Sequence, residues 1–553
     1  MKKLQTAKKI TSTIFILLIL CLSSIPVFTA APTPLQCDIN GDGIVNVSDL
    51  IDISNHMGAT GAAGWIKEDV DKNGIIQVLD LMFVANHYGE SVITTPGTTV
   101  KDNATWGLQW ETHIPYLPVS GTWIDRTLIN PVLYDITGDG VQEVFVEKGY
   151  SDDGQGAIYA FNGATGALMW SYGPSDNIGH HAVMSIHNLD GDSDMELLVC
   201  GYYVTIALHA ESGQVLWSYK AGTEPGTILS RRDKAPVVLK ENGVVYAYTY
   251  IGGNVENGGS VYPRIVKRLG STGEIVASTS AHLEYTCFGG LAAADINNDG
   301  AIEIVIGNRA GEYSGLACFR ASDLVALWDT GIACSSQSPV IVDDLNGNGG
   351  MDVIVNNQDT GKVAAVDGKT GTILWQRGSI GHTGDIWMNT IYDIDGDGNL
   401  EAITAGSGSG STAMTIIDLK TGITEASLGS FSGPPIIANV DSDSAMEIVQ
   451  INKDTSYSIY KYKNGTYTLA SQSTPNSVKT YTYAMSILDM DNDGYNEIVQ
   501  LCQDTAPGWL TFDTVQVVQT PGLASSPKAT CQDYAYTYLR HYISQYTKYD
   551  NPD

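Results

Sequence analysis

From about residue 130 onward the chain alternates short apolar runs with turns rich in Gly, Asp and Asn, and the runs are dense in β-branched residues. That texture predicts strands rather than helices. One unit recurs: an apolar strand, an acidic loop, then an acid that opens a second apolar strand. Its copies are DITGDGVQEVFV at 135, NLDGDSDMELLV at 188, DINNDGAIEIVI at 295, DLNGNGGMDVIV at 344, DIDGDGNLEAIT at 393, NVDSDSAMEIVQ at 439 and DMDNDGYNEIVQ at 489. They are separated by 53, 107, 49, 49, 46 and 50 residues. The 107-residue gap holds a copy that keeps its strands but has lost its acids, PVVLKENGVVYAYTYIGG at 236–253. Periods of this length mean propeller blades or arrays.

A second, phase-shifted repeat gives the same count. Turns followed by an apolar strand lie at ATGALMW (164–170), ESGQVLW (211–217), STGEIVA (271–277), ASDLVALW (321–328), KTGTILW (369–375), KTGITEA (420–426) and KNGTYTL (463–469). Each unit therefore offers four strands, with a loop between the first two and a tight turn between the last two. The prediction is a mainly β chain with an eight-bladed β-propeller over 105–523. The last blade lacks a turn of this kind, whereas TWGLQWE (105–111) stands alone before the first. This N-terminal strand is expected to complete the last blade and close the ring, which removes open sheet edges.

Ahead of the repeats, residues 38–49 read DINGDGIVNVSD, with oxygen side chains at Asp38, Asn40, Asp42, Asn46 and Asp49 and glycine at the sixth position. A hard cation takes six to eight oxygens, and such a loop must turn sharply midway. The pattern returns as Asp69, Asp71, Asn73 and Asp80, and the flanks repeat too: SDLIDISNHMG at 48–58 against LDLMFVANHYG at 79–89. Two loop-helix units in tandem resemble the dockerin module, a small all-α domain with two EF-hand-like calcium loops. The resemblance implies a cohesin-bearing scaffold protein as partner, for residues 32–90. A Thr-, Pro- and Gly-containing stretch, 91–104, reads as linker.

The acidic blade loops resemble the FG-GAP/VCBS family, and the Thr-Gly turns with a following Trp resemble quinoprotein-like propellers. The resemblance covers about three quarters of the chain and speaks to fold more than to activity. Trp170, Trp217, Trp328 and Trp375 recur at one blade position and read as packing anchors rather than a cofactor box.

Composition adds compartment and partners. Lys2, Lys3, Lys8 and Lys9 precede an apolar run and a small-residue stretch, Thr29-Ala30-Ala31, which is the pattern of a secretory signal peptide over 1–30. The expected location is secreted or extracellular, at the cell surface, with no transmembrane segment in the mature chain. The net charge of −31 becomes −35 once the signal lysines are removed. Nucleic acid, which needs basic grooves, is excluded as a partner. The cysteines are scattered without C-x-x-C spacing, which argues against zinc. Residues 524–553 form a tail whose centre, CQDYAYTYLRHYISQY, has the pattern of a helix.

In each blade loop, oxygens at positions 1, 3, 5 and 9 surround a gap, and position 9 is delivered by the next strand. Calcium, in a structural role, is the expected ion. The ligand sets are Asp135, Thr137, Asp139, Glu143; Asn188, Asp190, Asp192, Asp194, Glu196; Asp295, Asn297, Asp299, Glu303; Asp344, Asn346, Asn348, Asp352; Asp393, Asp395, Asp397, Glu401; Asn439, Asp441, Asp443, Glu447; and Asp489, Asp491, Asp493, Glu497. The strongest carry four carboxylates, at 393 and 489; the loop at 344 carries only two.

On the opposite face, the connections between blades collect Trp123, Arg126, His180, His181, Arg231, Arg232, Tyr285, His382, Trp387 and Tyr481. Aromatic rings with Arg and His near a central funnel suit a polysaccharide or polyanion. No nucleophile elbow, zinc-protease motif or Cys-His spacing is present in the sequence, so catalytic residues are not assigned. The expected function is a docked, calcium-binding propeller that binds glycan or protein. The alternative is a polysaccharide-degrading enzyme resembling rhamnogalacturonan lyases, which join an eight-bladed propeller to a β-sandwich domain; here only linker precedes the ring.

Overall fold

The computed structural model describes residues 39, 47–61, 70, 75–86, 107–114, 131–150, 155–173, 178–179, 182–224, 234–253, 261–279, 283 and 290–308. It further describes 315–331, 339–357, 362–377, 384–408, 413–430, 435–440, 445–452, 456–473, 482–491, 493, 495–502 and 514–523. The expected signal peptide, linker and tail lie outside these residues. The chain divides into two compact units, 1–102 and 103–553.

In the first unit, helices α1 (Val47–Asn55) and α2 (Val78–Asn86) each begin just before an acid, Asp49 and Asp80. A carboxylate in the first turn suits the positive end of the helix dipole. Both side chains are fully buried, and Asp49 accepts the Ile39 N–H at 2.8 Å while Asp80 accepts that of Gln77 at 2.9 Å. An antiparallel bridge joins Thr60 to Ile75, and Ile39, Ile53, Val70, Ile76 and Val84 form a small core.

The second unit is an eight-bladed β-propeller of eight four-stranded antiparallel sheets. The blades span 132–172, 183–220, 237–278, 291–329, 340–377, 384–430, 436–472 and 482–523. In the eighth, the strand order places Gly107–His113 as the outer strand beside Thr514–Leu523, so the N-terminal strand does close the ring. Burial explains the stacking. Second strands such as Glu196–Cys200 are buried throughout, whereas outer strands such as Leu168–Tyr172 mix exposed and half-buried residues. Apolar clusters sit between neighbours all the way round; one joins Val144, Val146 and Tyr159 of blade 1 to Leu488, Val499 and Val517 of blade 8.

Blade 3 contains the copy without the acidic loop. Its first two strands, Val237–Glu241 and Val244–Ile251, meet at a two-residue turn in which Asn242 and Gly243 both have positive φ, 51° and 83°. That is the Asn-Gly hairpin geometry, which leaves no room for a metal loop.

Candidate metal-binding loops

Seven loops share one backbone device. The side chain at position 9 folds back and accepts the N–H of position 2. The pairs are Glu143–Ile136 at 3.1 Å, Glu196–Leu189 at 2.7 Å, Glu303–Ile296 at 3.0 Å and Asp352–Leu345 at 2.8 Å. Glu401–Ile394 at 2.9 Å, Glu447–Val440 at 2.9 Å and Glu497–Met490 at 2.8 Å complete the set. The strand after the loop delivers these acids: Glu143, Glu196, Glu303, Asp352, Glu401 and Glu447 each open one, and Glu497 stands two residues inside Tyr495–Cys502. All are buried at no more than 1% exposure.

The loop side chains organise the turn itself. Asp393 accepts the N–H groups of Gly396 at 2.8 Å and Gly398 at 3.0 Å, and Asp395 accepts that of Asp397 at 3.0 Å. Asp135, Asp295, Asp344 and Asp489 are held in the same way by amides three to five residues on. Ionised carboxylates keep further lone pairs after accepting such bonds. Ligand atoms converge within 4.8 Å in Asp190–Asp192–Glu196, Asp393–Asp395–Glu401 and Asp489–Asp491–Asp493. Asp194 stands outside its triad and accepts from Ser193 Oγ at 3.1 Å. Asn439 and Glu447 are buried, while Asp441 and Asp443 lie outside the described residues.

The second oxygen of the position-9 acid tests the fit to a cation. Glu143 Oε1, Glu303 Oε1 and Glu401 Oε1 are buried without a hydrogen-bond donor. Burial, reinforced by neighbouring loop acids, pushes the carboxyls of Glu196 and Glu303 up to about 7, Glu401 to about 8 and Glu497 to about 9. Buried oxygens on a preformed turn, with no donor, fit a hard divalent cation, which needs all-oxygen coordination. The loop at 344 is different. Both oxygens of Asp352 accept backbone N–H groups, Asn346 Nδ2 donates to Asp367 at 2.8 Å, and Lys369 Nζ donates to the Asn348 carbonyl at 2.8 Å. An ammonium and two amides already serve that loop.

Position 9 also meets a partner across the next strand that the loop motif does not reveal. Glu196 pairs with His209, Glu303 with Arg320, Asp352 with Asp367, Glu401 with Asp418 and Glu497 with Gln519. Lys461 Nζ lies 3.3 Å from Glu447 Oε1. In blade 3, Tyr246 pairs with Leu269, and Lys267 Nζ donates to Glu241 Oε2 at 2.6 Å.

Several expected site residues lie outside the described part: Asp38, Asn40, Asp42, Asn46, Asp69, Asp71 and Asn73 of the first unit, and Trp123, Arg126, His180, His181, Arg231, Arg232, Tyr285, His382 and Tyr481 of the expected ligand face. Trp387 is in the first strand of blade 6, paired with Ala405.

A family model described as outer membrane protein assembly factor BamB matches residues 102–290. That stretch is similar to the BamB family and takes in the closing strand and blades 1 to 3. Among solved structures, the V. cholerae biofilm matrix protein Bap1 aligns with 77% of this chain and 92% of its own, at 10% identity and a TM-score of 0.49. The Dos1 propeller aligns with 77% of this chain and 97% of its own, at 12% identity and a TM-score of 0.44. No curated protein matches the sequence. Among the described residues, no helix is long and apolar enough to cross a membrane.

Proposed function

We propose that this chain is a secreted, calcium-stabilised propeller that binds a glycan or another protein, held at the cell surface by a dockerin-like N-terminal unit seated in a cohesin. The observation that carries calcium is the fully buried carboxylate oxygen at position 9, left without a donor in Glu143 and Glu401 beside further loop acids. Leaving such an oxygen uncompensated costs several kcal/mol per ion; a divalent cation compensates several acids at once. The first unit supports the same chemistry through Asp49 and Asp80, two buried acids at matching places in its two halves. With so small a core, metal binding would supply much of its folding energy. Similarity of the first three blades to a protein named for outer-membrane protein assembly favours binding over catalysis.

The test uses the full chain. Calcium should raise the melting temperature of both units, and Asp38→Ala with Asp69→Ala should abolish cohesin binding while the propeller transition stays in place. A propeller transition indifferent to calcium and chelator defeats the metal reading, and unchanged cohesin binding in the double variant defeats the docking reading.

A further inference from the structure

Glu401 belongs to two groups of carboxylates. One is its own loop, with Asp393 and Asp395; the other is formed with Asp418 and Glu425, and in each the ligand atoms lie within 4.8 Å of one another. Asp418 is its cross-strand neighbour, and Glu425 comes from the outer strand Thr424–Ser430. Sister blades place a basic side chain in this neighbourhood rather than an acid. His209 Nδ1 stands 3.4 Å from Glu196, and Lys461 Nζ stands 3.3 Å from Glu447. Where blade 5 also places an acid there, Asp367, the loop supplies amide donors, Asn346 and Asn348. Blade 6 has Asp395 and Asp397 at those two loop positions, which cannot donate.

Glu401 is fully buried. Its Oε2 accepts the Ile394 N–H at 2.9 Å, and its Oε1 has no hydrogen-bond donor. An acid so placed, with acids on both sides, calls for more positive charge than one loop ion supplies. We propose that Glu401, Asp418 and Glu425 hold a second divalent cation, so that blade 6 carries a two-ion centre bridged by Glu401. The chemistry is that of a hard, oxygen-seeking ion. Glu425 is exposed, so the outer side of this site is open to water ligands, and Tyr467 Oη of the next blade orients it at 3.4 Å from Oε2. Carboxylate-bridged pairs of this kind hold their ions about 3.5–4 Å apart. The proposal rests on the reading that the loops take calcium.

Native mass spectrometry of the full chain at saturating calcium would count the ions. Asp418→Asn preserves the turn, because Asn162 caps the same turn in blade 1 by accepting the Thr165 N–H at 3.1 Å. Glu425→Ala alters an exposed side chain. Each should lose one ion relative to the parent, and Glu401→Gln should lose two. Manganese-soaked crystals should show two anomalous peaks in blade 6. If Asp418→Asn and Glu425→Ala keep the full count while Glu401→Gln loses one, the second site is refuted and the loop reading stands. If Glu401→Gln also keeps the count, both fail.

Discussion

Trp110 donates its indole N–H to the carbonyl of Gly163 at 2.6 Å, joining the strand that closes the ring to the first blade. The same clasp recurs round the molecule: Trp170 to Ala210, Trp217 to Gly270, Trp328 to Gly368 and Trp375 to Leu419, each reaching the next blade at 2.6–2.8 Å. Each indole also covers the glycine of that blade's turn, so one side chain serves packing and hydrogen bonding together. Trp110→Ala removes the clasp that ties the closing strand of blade 8 to blade 1. Truncating a buried Trp costs about 3–5 kcal/mol; for this half-buried ring about 2–3 kcal/mol is expected. Urea denaturation would measure it, and an unchanged midpoint would deny the closing strand its role.

The glycine under each indole is required twice over. Gly422 has φ +68°, and a Cβ there would lie 2.7 Å from Cδ2 of Trp375. Gly396, in the blade 6 loop, has φ +76° but nothing within 4 Å of such a Cβ. Left-handed backbone costs a residue with a side chain about 1–2 kcal/mol. Gly396→Ala should therefore cost about that much, and Gly422→Ala more, because the ring must also move. Equal melting temperatures for the two variants would remove the steric part of this account.

The repeat architecture is legible in the sequence because most blades repeat a local pattern: an acidic loop, a period-two strand and a tight turn, usually with glycine. Even blade 3, which lacks the acidic loop and keeps only Glu241 at its first turn, retains its strands, and the isolated TWGLQWE segment identifies the closing strand. The partners of the position-9 acids are not legible in the same way. Asp418 and Glu425 lie beyond the loop motif, and only strand register brings them to Glu401. His209 and Lys461 are hidden for the same reason. The Trp residues read as packing anchors; their hydrogen bonds cross to a blade 40–53 residues away, visible only once the blades are stacked. The proposed ligand face depends on connections outside the described residues.

Acidity should act in opposite directions with and without calcium. In the metal-free protein, burial raises Glu401 from 4.5 to about 8 and Glu497 from 4.5 to about 9. The folded chain then holds protons that the unfolded chain releases above pH 4.5. By linkage, this stabilisation is fully present below that pH and is lost as pH rises through 8 and 9. Chelated protein should melt at progressively lower temperature from pH 5 to pH 9. Calcium-loaded protein should lose stability as pH falls, because protons compete for the ligands. Scanning calorimetry in both states decides it; parallel profiles would contradict the assignment of these acids as ligands.

Glu401→Gln separates ligand loss from relief of charge. With calcium bound, it removes a buried ligand and should lower the melting temperature by several degrees. In chelator at pH 9, it removes a carboxylate held against Asp395, Glu425 and Asp393 and should raise it. A uniform loss in both conditions would indicate a purely steric role for the side chain.

Blade 3 provides a control, because a lysine there does by salt bridging what the proposed ion does elsewhere. Lys267 Nζ lies 2.6 Å from Glu241 Oε2 and 4.2 Å from the centre of the Tyr246 ring, with its side chain only 7% exposed. Tyr248 Oη also donates to Glu241, so the carboxylate is held from two sides. Breaking a fully buried pair costs about 3–5 kcal/mol. Glu241 is a quarter exposed, so solvent screening reduces the expected loss for Lys267→Met to about 1–3 kcal/mol. The decisive feature is its indifference to metal. Lys267→Met should cost the same in calcium and in chelator, whereas Glu401→Gln should change sign between them. A calcium-dependent cost at Lys267 would mean that blade 3 also holds an ion, and the division between lysine-served and cation-served blades would fall.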